Sequence, residues 1–493
     1  MDALAAWNGT KLDRGPGTIK LATFGIHIFV IAFASVYYLA NGPLLLGHLD
    51  LGWHLAAGDL IRDRGSVPFQ DPWSFTLGDR QWYNLSWLWD VIASVLVQYT
   101  GWTGLTLAVV ACGAVIAGYL TSITLRSGAS ALAVGISVLS ACLLYPAFVT
   151  APNSYLSASP NTPTMLFCVI FYAECLKRKR WFLLPVMMVL WANLHGGFML
   201  GLFIIGIFGA ASMLRRDWAG LKTYAFAAAG CLVAILINPL GWHVYEGVAT
   251  TLGHFAQEHI TEWWSYAANF SMPGSIPGIV YIALFAAFEL RHPAASPAPL
   301  ESRLLSWLFL LLGFYQYRYM SFFFIFSTVP LALHIDRVLP RLNELKVQGS
   351  LLAAGIVGLC ALPLTLVYVK PALALPQLLS EQDARYLQTH FPHARLLNHW
   401  NVGGLLIFYT RGTVPVFIDG RSATAYPDEL LRDYFSLIKW EIDETAWDAV
   451  LDKYKIDTVL WVKAHEPLKR FLVDKRGWTE AYTGTDEVIY VKR

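Results

Sequence analysis

Long apolar runs separated by short polar stretches fill the first three quarters of the chain. The runs at 21–41, 103–123 and 350–369 each approach the ~20 apolar residues that cross the hydrocarbon core of a bilayer. Eight further runs are shorter or are broken by Gly and Pro: 129–149, 163–176, 181–194, 198–213, 222–237, 276–290, 303–315 and 321–335. Breaks at membrane depth persist where backbone is buried in protein or lines a wet cavity. The pattern therefore predicts a polytopic α-helical membrane protein with about 11 crossings and a buried working site.

The pattern changes after the last apolar run. Residues 376–493 alternate helix-like pieces such as EQDARYLQTHF with strand-like pieces such as VPVFID, TVLWVK and EVIYVK. This alternation predicts a small α/β domain. We therefore expect a short N-terminal segment at 1–20, a membrane domain at 21–375 with a first outer loop at 42–102, and the α/β domain at 376–493.

Composition agrees with a membrane protein and excludes several functions. Of the 493 residues 56% are hydrophobic and 14% are charged, and the mean hydropathy is +0.47, whereas soluble proteins carry roughly a quarter charged residues. The net charge is +2 and no basic stripe with interleaved aromatics stands out, so nucleic-acid binding is not expected. The six cysteines lie in apolar segments without metal-ligand spacing. No phosphate-binding G-x-x-x-x-G-K-[ST] loop is present, which disfavours an ATP-driven pump.

Basic residues predict the orientation, because Lys and Arg accumulate in cytoplasmic loops. With the N-terminus in the cytoplasm, sixteen basic residues fall on the cytoplasmic side of the membrane domain and four fall in its outer loops. This balance holds only if 87–99 is a juxtamembrane or re-entrant helix and not a crossing. An odd number of crossings then puts the C-terminal domain outside the cytoplasmic membrane.

The first outer loop carries an acidic stretch directly after the first apolar run. In LDLGWHLAAGDLIRDRGSVPFQDPWSFT, residues 49–76, a helix is predicted with Asp50 as N-cap and Gly65 just past its end. Asp50 and His54 are four positions apart, so they would share a helix face and could share a proton or an ion. Asp50, His54 and Asp71 are the candidate catalytic residues. The alternatives are a helix cap for Asp50 and an Asp–Pro turn for Asp71.

Polar groups also interrupt the later apolar runs. Arg318, among aromatics in FYQYRYM at the outer end of a crossing, could bind a phosphate through paired hydrogen bonds or could snorkel to the interface. Asn193 and His195 break an apolar region in NLHGG, and His243 follows a helix stop in NPLGWH. Each break could direct polar groups into a binding site or be only a kink or turn.

Two motifs of the C-terminal domain, HWNVGG and FIDGRSATAY, put polar residues at predicted strand ends or loops, where α/β folds present ligands. The alternative is a tight turn with an ordinary Arg–Asp pair. The substrate-binding candidates here are Trp400, Asn401, Asp419, Arg421 and Tyr426.

These features together resemble a known superfamily. An aspartate directly after the first helix, helices in the first outer loop, many membrane helices and an outer C-terminal α/β domain look like the C-superfamily (GT-C fold) of membrane glycosyltransferases. The segments DLGWHLAAGDLIRDRGSVPFQDPWSFT, WANLHGGFMLG, NPLGWHVY, EWWS, RYMSFFFIFSTVPLA and NHWNVGGLLIFYTRGTVPVFIDGR resemble, more narrowly, a group of bacterial polyprenyl-phosphate-sugar-dependent glycosyltransferases. The resemblance covers most of the chain.

The resemblance implies transfer of a sugar from a polyprenyl-phosphate donor to a lipid, glycan or protein acceptor. The site would lie at the outer, periplasmic face of a bacterial cytoplasmic membrane. A carboxylate of the first outer loop, here Asp50, would act on the acceptor, and basic residues such as Arg318 would hold the leaving phosphate. A divalent ion, Mg²⁺ or Mn²⁺, is a candidate cofactor with Asp50 and His54 as candidate ligands. The full Trp-Trp-Asp-Tyr-Gly motif of oligosaccharyltransferases is missing, so that motif does not support peptide acceptors.

Two other functions stay open at this stage. Gly/Pro breaks and a lone intramembrane arginine also suit a transporter or a lipid or glycolipid flippase, although the sequence contains no evident internal repeat. An inactive scaffold of cell-envelope glycan assembly is the third reading. It is motivated by NLSWLWD, where similar proteins more often carry a glutamate near Ser86.

Overall fold

The computed structural model describes residues 16–42, 46–147, 156–270, 275–291, 296–338 and 378–493. Most of these residues are helical, and a small sheet occurs near the C-terminus. Before the C-terminal domain the helices are α1 (Pro16–Ala40), α2 (Leu51–Arg64), α3 (Trp87–Arg126), α4 (Ala131–Ala147), α5 (Asn161–Lys177), α6 (Leu183–Leu194), α7 (Met199–Leu214), α8 (Trp218–Ile235), α9 (His243–Ala249), α10 (Ser275–Arg291), α11 (Leu300–Tyr315), α12 (Met320–Phe326) and α13 (Thr328–Val338).

The apolar runs predicted as membrane helices are helical wherever the structure describes them. Ten of the eleven runs coincide with helices, and the run at 350–369 lies outside the described residues. Three described helices are long and apolar enough to cross a membrane: Trp87–Arg126, Gly196–Leu214 and Trp218–Ile235. A fourth span is possible if α12 and α13, bent by 51° at their junction, cross together. The helical membrane class is supported, but eleven crossings are not confirmed.

Helix α3 is two helical pieces joined at a kink. Gly101 has φ 65° and ψ −168°, a backbone conformation that favours glycine, and it separates 87–100 from 102–126. The first piece matches the predicted juxtamembrane helix at 87–99, and the second matches the run at 103–123. The kink supports reading them as separate elements, while the position of 87–99 relative to a membrane stays a prediction.

The C-terminal domain contains a four-stranded mixed sheet. Its strands β1 (Leu396–Asn398), β2 (Thr458–Val462), β3 (Thr479–Thr483) and β4 (Glu487–Val491) lie in the order β1-β2-β4-β3. β1 and β2 are parallel, and the other two pairs are antiparallel. The accompanying helices are α14 (Glu381–His390), α15 (Trp400–Thr410), α16 (Asp428–Leu437), α17 (Glu444–Lys453) and α18 (Glu466–Lys469).

One predicted strand of this domain is not a strand. The segment VPVFID joins no sheet, and its Val416 makes a single bridge to Ser74 of the first outer loop. Its apolar side chains are nevertheless fully buried, at 0% exposure for Val416, Phe417 and Ile418. Burial, which a short apolar run signals equally well, explains the pattern that had indicated a strand.

Helix α2 lies between the membrane helices and the C-terminal domain, packed against α3 on one side and α15 on the other. Two glycines permit the close approach. A Cβ at Gly52 would lie 2.5 Å from the carbonyl oxygen of Gly404, and a Cβ at Gly58 would overlap the backbone of Asp90. The first outer loop is therefore fixed directly between the two parts of the molecule.

Candidate functional site

Asp50 lies at the start of α2, in a recess that leaves 30% of its side chain accessible. It occupies the predicted N-cap position, but its carboxylate makes no capping hydrogen bond. Its backbone N–H donates to His48 Nδ1 at 3.2 Å, and its Oδ1 lies against Gly420, where a Cβ would overlap it. Burial raises the pKa of Asp50 to about 7, and the nearby His54 opposes this rise. The carboxylate is thus available for chemistry and not used as a cap.

Arg318 is paired with an acidic residue that the sequence analysis did not select. Its Nη1 lies 3.3 Å from Glu262 Oε1, and its guanidinium lies 4.2 Å from the ring centroid of Trp263. Two backbone hydrogen bonds, Tyr317 N to Trp264 O at 2.8 Å and Tyr266 N to Phe314 O at 3.1 Å, join the segments carrying the pair. Arg318, a lone arginine in the sequence, therefore forms an ion pair, and backbone hydrogen bonds between the two segments hold this pair in place.

His195 stands at the break that NLHGG makes between α6 and α7. Its backbone is extended, with φ −169° and ψ 144°, and Gly197 N donates to Nδ1 at 3.3 Å. The Thr164 hydroxyl also contacts Nδ1, at 2.8 Å, while it accepts a bond from Trp191. Burial, with the charge of Arg318 next, lowers the pKa of His195 to about 3. A neutral ring whose Nδ1 only accepts carries its proton on Nε2, where it can donate.

Charges from separate segments of the chain act on the pKa values of Asp50 and His195. Those of Glu262 and Asp419 raise the pKa of Asp50, and those of Arg318, His54 and His48 lower the pKa of His195. His48 Nδ1 itself is 3.9 Å from Asp50 Oδ2. We call Asp50, His48, Glu262, Arg318 and His195 the Asp50 cluster. Glu262 thus acts on Asp50, and its partner Arg318 acts on His195, so three positions that the sequence selected separately are linked through shared charges.

His54 does not pair with Asp50 as the four-residue spacing predicted. Its Nδ1 lies 2.6 Å from Asp90 Oδ1 on α3, and only its backbone N–H bonds Asp50, at the carbonyl oxygen. The physical reason is burial. Asp90 has no exposed surface and must be compensated, and His54 is the residue that α2 directs at it.

Asp71, Asp419, Arg421 and Tyr426 form one buried network. Arg421 contacts Asp71 and donates to both carboxylate oxygens of Asp419 at 2.6–3.0 Å, and the Tyr426 hydroxyl donates to Asp419 at 2.7 Å. The carboxylate of Asp71 also accepts from the backbone of Trp73 and Ser74, which makes it a turn residue. Asp419, Arg421 and Tyr426 are at most 2% exposed, and the side chain of Asp71 is 0% exposed. In this arrangement the four side chains bind each other and join the first outer loop to the C-terminal domain.

Two other candidates lie apart from the Asp50 cluster in their contacts. Asn193 donates to the carbonyls of Val189 and Ile237 and accepts from Trp87 Nε1 at 2.8 Å, so its amide supports the helix break. His243 is exposed and pairs with Glu246 at 2.8 Å. These contacts favour the structural reading for Asn193, while a role for His243 stays a prediction.

Trp400 and Asn401 begin α15. The backbone N–H of Trp400 donates to the Tyr434 hydroxyl at 2.6 Å, and its ring contacts Phe435, which stacks on His259. His399 Nδ1 caps the helix by accepting from Asn401 N at 3.3 Å. Trp400 is half-buried and stands near the segment that leads to Glu262, so a substrate contact by it stays a prediction.

The residues around Asp50 do not fit a metal ion. In the part of the chain that the structure describes, no three His, Cys, Asp or Glu side chains converge as a metal site. The acidic neighbours of Asp50 are engaged elsewhere, Glu262 with Arg318 and Asp419 with Arg421. The predicted ligand pair of Asp50 and His54 is also separated, because the ring of His54 turns to Asp90. We therefore derive no step through a divalent ion.

Sequence reasoning missed Glu262, Asp90 and His48. Glu262 stands in EWWS, which the family resemblance quoted without selecting the glutamate, and Asp90 lies in the apolar stretch WLWDVIASV, where a charge needs a partner. That signal could have found Asp90. The identity of its partner could not be read from the chain, because His54 is 36 positions away.

Comparison with solved structures found proteins of similar fold. An oligosaccharyltransferase of Archaeoglobus fulgidus in its apo form, and AglB of the same organism in complex with an inhibitory peptide and a dolichol-phosphate, each align over 95% of this chain and 74% of theirs. Both have a TM-score of 0.59 and 11% sequence identity. The same enzyme complexed with Zn and sulfate aligns over 94% of this chain and 73% of its own, with a TM-score of 0.56 and 12% identity.

Comparison with protein-family models found no match, and neither did comparison with curated protein sequences. The structural likeness shows that this chain has a fold similar to that of these oligosaccharyltransferases. It gives no support to the narrower bacterial group. At this identity the likeness concerns the fold alone.

Proposed function

We propose that this protein is a membrane glycosyltransferase that transfers a sugar from a polyprenyl-phosphate carrier to an acceptor. One observation carries the proposal: Glu262, which pairs with Arg318 at 3.3 Å, acts on the pKa of Asp50, and Arg318 acts on the pKa of His195. The cluster offers a proton acceptor, a cation and a neutral hydrogen-bond donor. Displacement of a sugar from phosphate requires these groups. The oligosaccharyltransferase-like fold and the dolichol-phosphate bound by one structural neighbour support the same reaction class.

The reaction is a displacement at the anomeric carbon. Asp50 takes the proton of the acceptor's nucleophilic group, which forms a bond to that carbon. The bond from carbon to phosphate oxygen breaks, and its electron pair stays on the polyprenyl phosphate. Because burial raises the pKa of Asp50 to about 7, this carboxylate is a stronger base than an exposed aspartate and is still substantially ionised near neutral pH.

The departing phosphate gains negative charge, which Arg318 and the Nε2–H of His195 would stabilise. Glu262 and the ring of Trp263 hold the guanidinium in position before the substrate arrives. In other enzymes, removing one preorganised donor of this kind lowers kcat by a factor of about 10²–10³. The neutral state of His195 suits this role, because a neutral ring donates a hydrogen bond without adding a charge that must be desolvated.

The acceptor would be a lipid, glycan or protein at the outer face of a bacterial cytoplasmic membrane. The N-terminus would lie in the cytoplasm and the C-terminal domain in the periplasm, as the distribution of basic residues favours. One structural neighbour was solved with a tethered acceptor peptide containing the NVT sequon. The incomplete Trp-Trp-Asp-Tyr-Gly motif gives a peptide acceptor no support in this chain.

The test is a transfer assay with purified protein and radiolabelled polyprenyl-phosphate sugars. Asp50→Asn removes the base but keeps the size of the side chain, so we expect transfer to fall at least about 100-fold. Arg318→Ala should fall by a similar factor.

Asp59→Asn is the matched control, because Asp59 lies on the same helix, is exposed and contacts Ser94 and Arg62 and not the cluster. We expect it to keep wild-type activity. Full transfer by Asp50→Asn and Arg318→Ala would contradict the proposed mechanism.

A further inference from the structure

His48 lies in the turn that leads into α2, and the proposed reaction does not use its side chain, which is only 6% exposed. Its Nδ1 accepts a hydrogen bond from the backbone N–H of Asp50 at 3.2 Å, and its carbonyl oxygen accepts from Leu51 N at 3.1 Å. The same Nδ1 is 3.9 Å from Asp50 Oδ2. The turn therefore holds the imidazole ring directly against the proposed base.

The bond from Asp50 fixes the position of the proton on the ring. A backbone N–H can only donate, so Nδ1 of His48 accepts with its lone pair and carries no proton. The ring is therefore neutral, with its proton on Nε2. This Nε2–H makes no hydrogen bond with a described residue and is not fully enclosed. His48 thus presents an unused hydrogen-bond donor beside Asp50.

Other histidines that cap helices in this protein use both ring nitrogens for the fold. His465 Nδ1 accepts from Leu468 N at 3.1 Å, and its Nε2 contacts the carbonyl oxygen of Lys439 at 3.3 Å. His254 has the same two kinds of contact, at 3.3 and 3.0 Å. His48 has the first contact and lacks the second. Because polar groups of buried side chains usually have a partner, an acceptor supplied by a ligand accounts for the difference.

The position of His48 selects the part of the substrate that its ring meets. In the proposed reaction Asp50 takes the proton of the acceptor, Arg318 stabilises the phosphate, and the sugar lies between them. His48 contacts both the backbone and the carboxylate side of Asp50, whereas Arg318 is held by Glu262 and Trp263. The sugar is therefore the part of the donor that lies next to His48.

A neutral donor suits a position beside the sugar. Positive charge develops on the sugar ring as its bond to the leaving oxygen breaks, and a cation beside the ring would oppose that charge. A neutral N–H can bind a hydroxyl oxygen without this cost. Hydrogen bonds to the hydroxyl next to the anomeric carbon also strengthen in transition states of this kind.

We propose that His48 binds the sugar of the donor, with its Nε2–H donating to the hydroxyl oxygen next to the anomeric carbon while its Nδ1 caps α2. This inference rests on the proposed function for the order of acceptor, sugar and phosphate in the site. The cap also explains why the Asp50 carboxylate makes no capping hydrogen bond, because His48 already accepts from the start of the helix. His48 is then a substrate-binding residue that discriminates among sugars.

The test measures how much the sugar adds to binding, without any transfer reaction. Dissociation constants of the full-length protein in nanodiscs are compared for polyprenyl phosphate and for polyprenyl-phosphate glucose, mannose and galactose. Wild-type protein should bind at least one sugar-bearing lipid more tightly than polyprenyl phosphate. His48→Asn should reduce this advantage roughly threefold to tenfold and leave the Kd of polyprenyl phosphate unchanged. The amide oxygen of asparagine can still accept from Asp50 N, so the cap is kept and the Nε2 donor is lost.

His48→Gln makes the reciprocal change. The longer amide reaches the place of Nε2 and can donate there, but it no longer caps α2, so we expect a lower thermal midpoint with most of the sugar advantage kept. A merely structural role predicts the opposite order, with His48→Asn like wild type and His48→Gln impaired. His465→Asn, at another capping histidine, is the control and should bind all four lipids as wild type does.

Three results would overturn the proposal. They are wild-type binding of the sugar-bearing lipids by His48→Asn, an equal loss for polyprenyl phosphate, which would place the ring at the phosphate, and no preference of the wild-type protein for any of the three sugars.

The transfer assay adds a second readout. The 2-deoxy analogue of the preferred donor should be a poorer substrate than the donor itself for wild-type protein, and the two should be nearly equal for His48→Asn, because the hydroxyl then has lost its partner. A preference that persists in His48→Asn would contradict the proposal. If the wild-type protein shows the predicted binding but transfers no sugar, the proposed function fails and the binding role of His48 stands.

Discussion

Glu487, in the C-terminal domain, is a buried carboxylate whose protonation differs between the folded and unfolded chain. It is 4% exposed, and its Oε2 has no hydrogen-bond partner among the described residues. Burial raises its pKa to about 8, and the charges of Asp383 and Asp486 act in the same direction. The folded protein therefore holds Glu487 protonated at neutral pH, whereas the unfolded chain ionises it near 4.5.

This difference predicts a pH-dependent stability. A pKa that is raised in the folded state gives a contribution that is fully present below about pH 4.5 and is lost as the pH rises toward 8. Glu487→Gln should remove this loss, so it should raise the thermal midpoint of the full chain in detergent near pH 8 and change it little near pH 4.5. The effect should be on the order of a few kcal/mol at most.

Exposed Glu466→Gln in the same domain is the control, and it should show no such pH dependence. If Glu487→Gln changed the midpoint equally at both pH values, Glu487 would not titrate as described.

Residues could be predicted from the sequence where a single position carried an unusual signal. Asp50 directly after an apolar run, His195 at a helix break and Arg318 among aromatics were each selected in this way, and Arg318 or its partner Glu262 acts on each of the other two. Their partners could not be predicted, because Glu262 and Asp90 act through contacts between residues that are 56 and 36 positions apart in the chain. Spacing predicts neighbours within one helix only, and it gave His54 the wrong partner.

At the scale of elements, the buried network around Arg421 joins the loop before α3 to the segment before α16. Arg421 contacts Asp71 from the loop and Asp419 from its own segment, between the rings of Trp73 and Trp82, each 4.9 Å away. A guanidinium so enclosed has no surface for substrate. The network fixes the position of Gly420, which lies against the Oδ1 atom of Asp50.

Arg421→Met should therefore act mainly on stability. Removing the cation leaves two buried carboxylates uncompensated, which costs about 3–5 kcal/mol in other proteins. We expect a clearly lower thermal midpoint and easier proteolysis at the junction of the two parts.

Arg411→Met is the control, because Arg411 is exposed in the same domain. An unchanged thermal midpoint together with a tenfold higher KM for the donor would show instead that Arg421 binds substrate.

At the scale of the whole molecule, the hydrophobic pattern predicted helices well and crossings less well. All ten described runs are helical because sustained apolarity is a local property. Whether an apolar helix of 10–17 residues crosses a membrane depends on its neighbours, and only three or four described spans are long and apolar enough by themselves. The C-terminal alternation predicted a mixed α/β domain, but the buried segment VPVFID imitated a strand.

Ion pairs between helices bear on the choice between the proposed enzyme and a transporter. They join the ends of membrane helices on the side opposite the Asp50 cluster in the predicted topology. These pairs are Arg178–Asp217, Arg215–Glu301 and Arg303–Glu289. Alternating access that moves these helices apart would break the pairs in each cycle, whereas a transferase can keep them. The two functions also differ in the fate of the donor lipid: a transferase cleaves its sugar–phosphate bond, whereas a transporter moves it intact.

The most direct measurement follows the donor in liposomes that carry the purified protein and a polyprenyl-phosphate sugar labelled in both lipid and sugar. The account predicts equimolar glycosylated acceptor and free polyprenyl phosphate, with neither formed by Asp50→Asn and both formed by Asp59→Asn. Recovery of the intact donor on the other side of the membrane, with no cleavage of the sugar–phosphate bond, would contradict it.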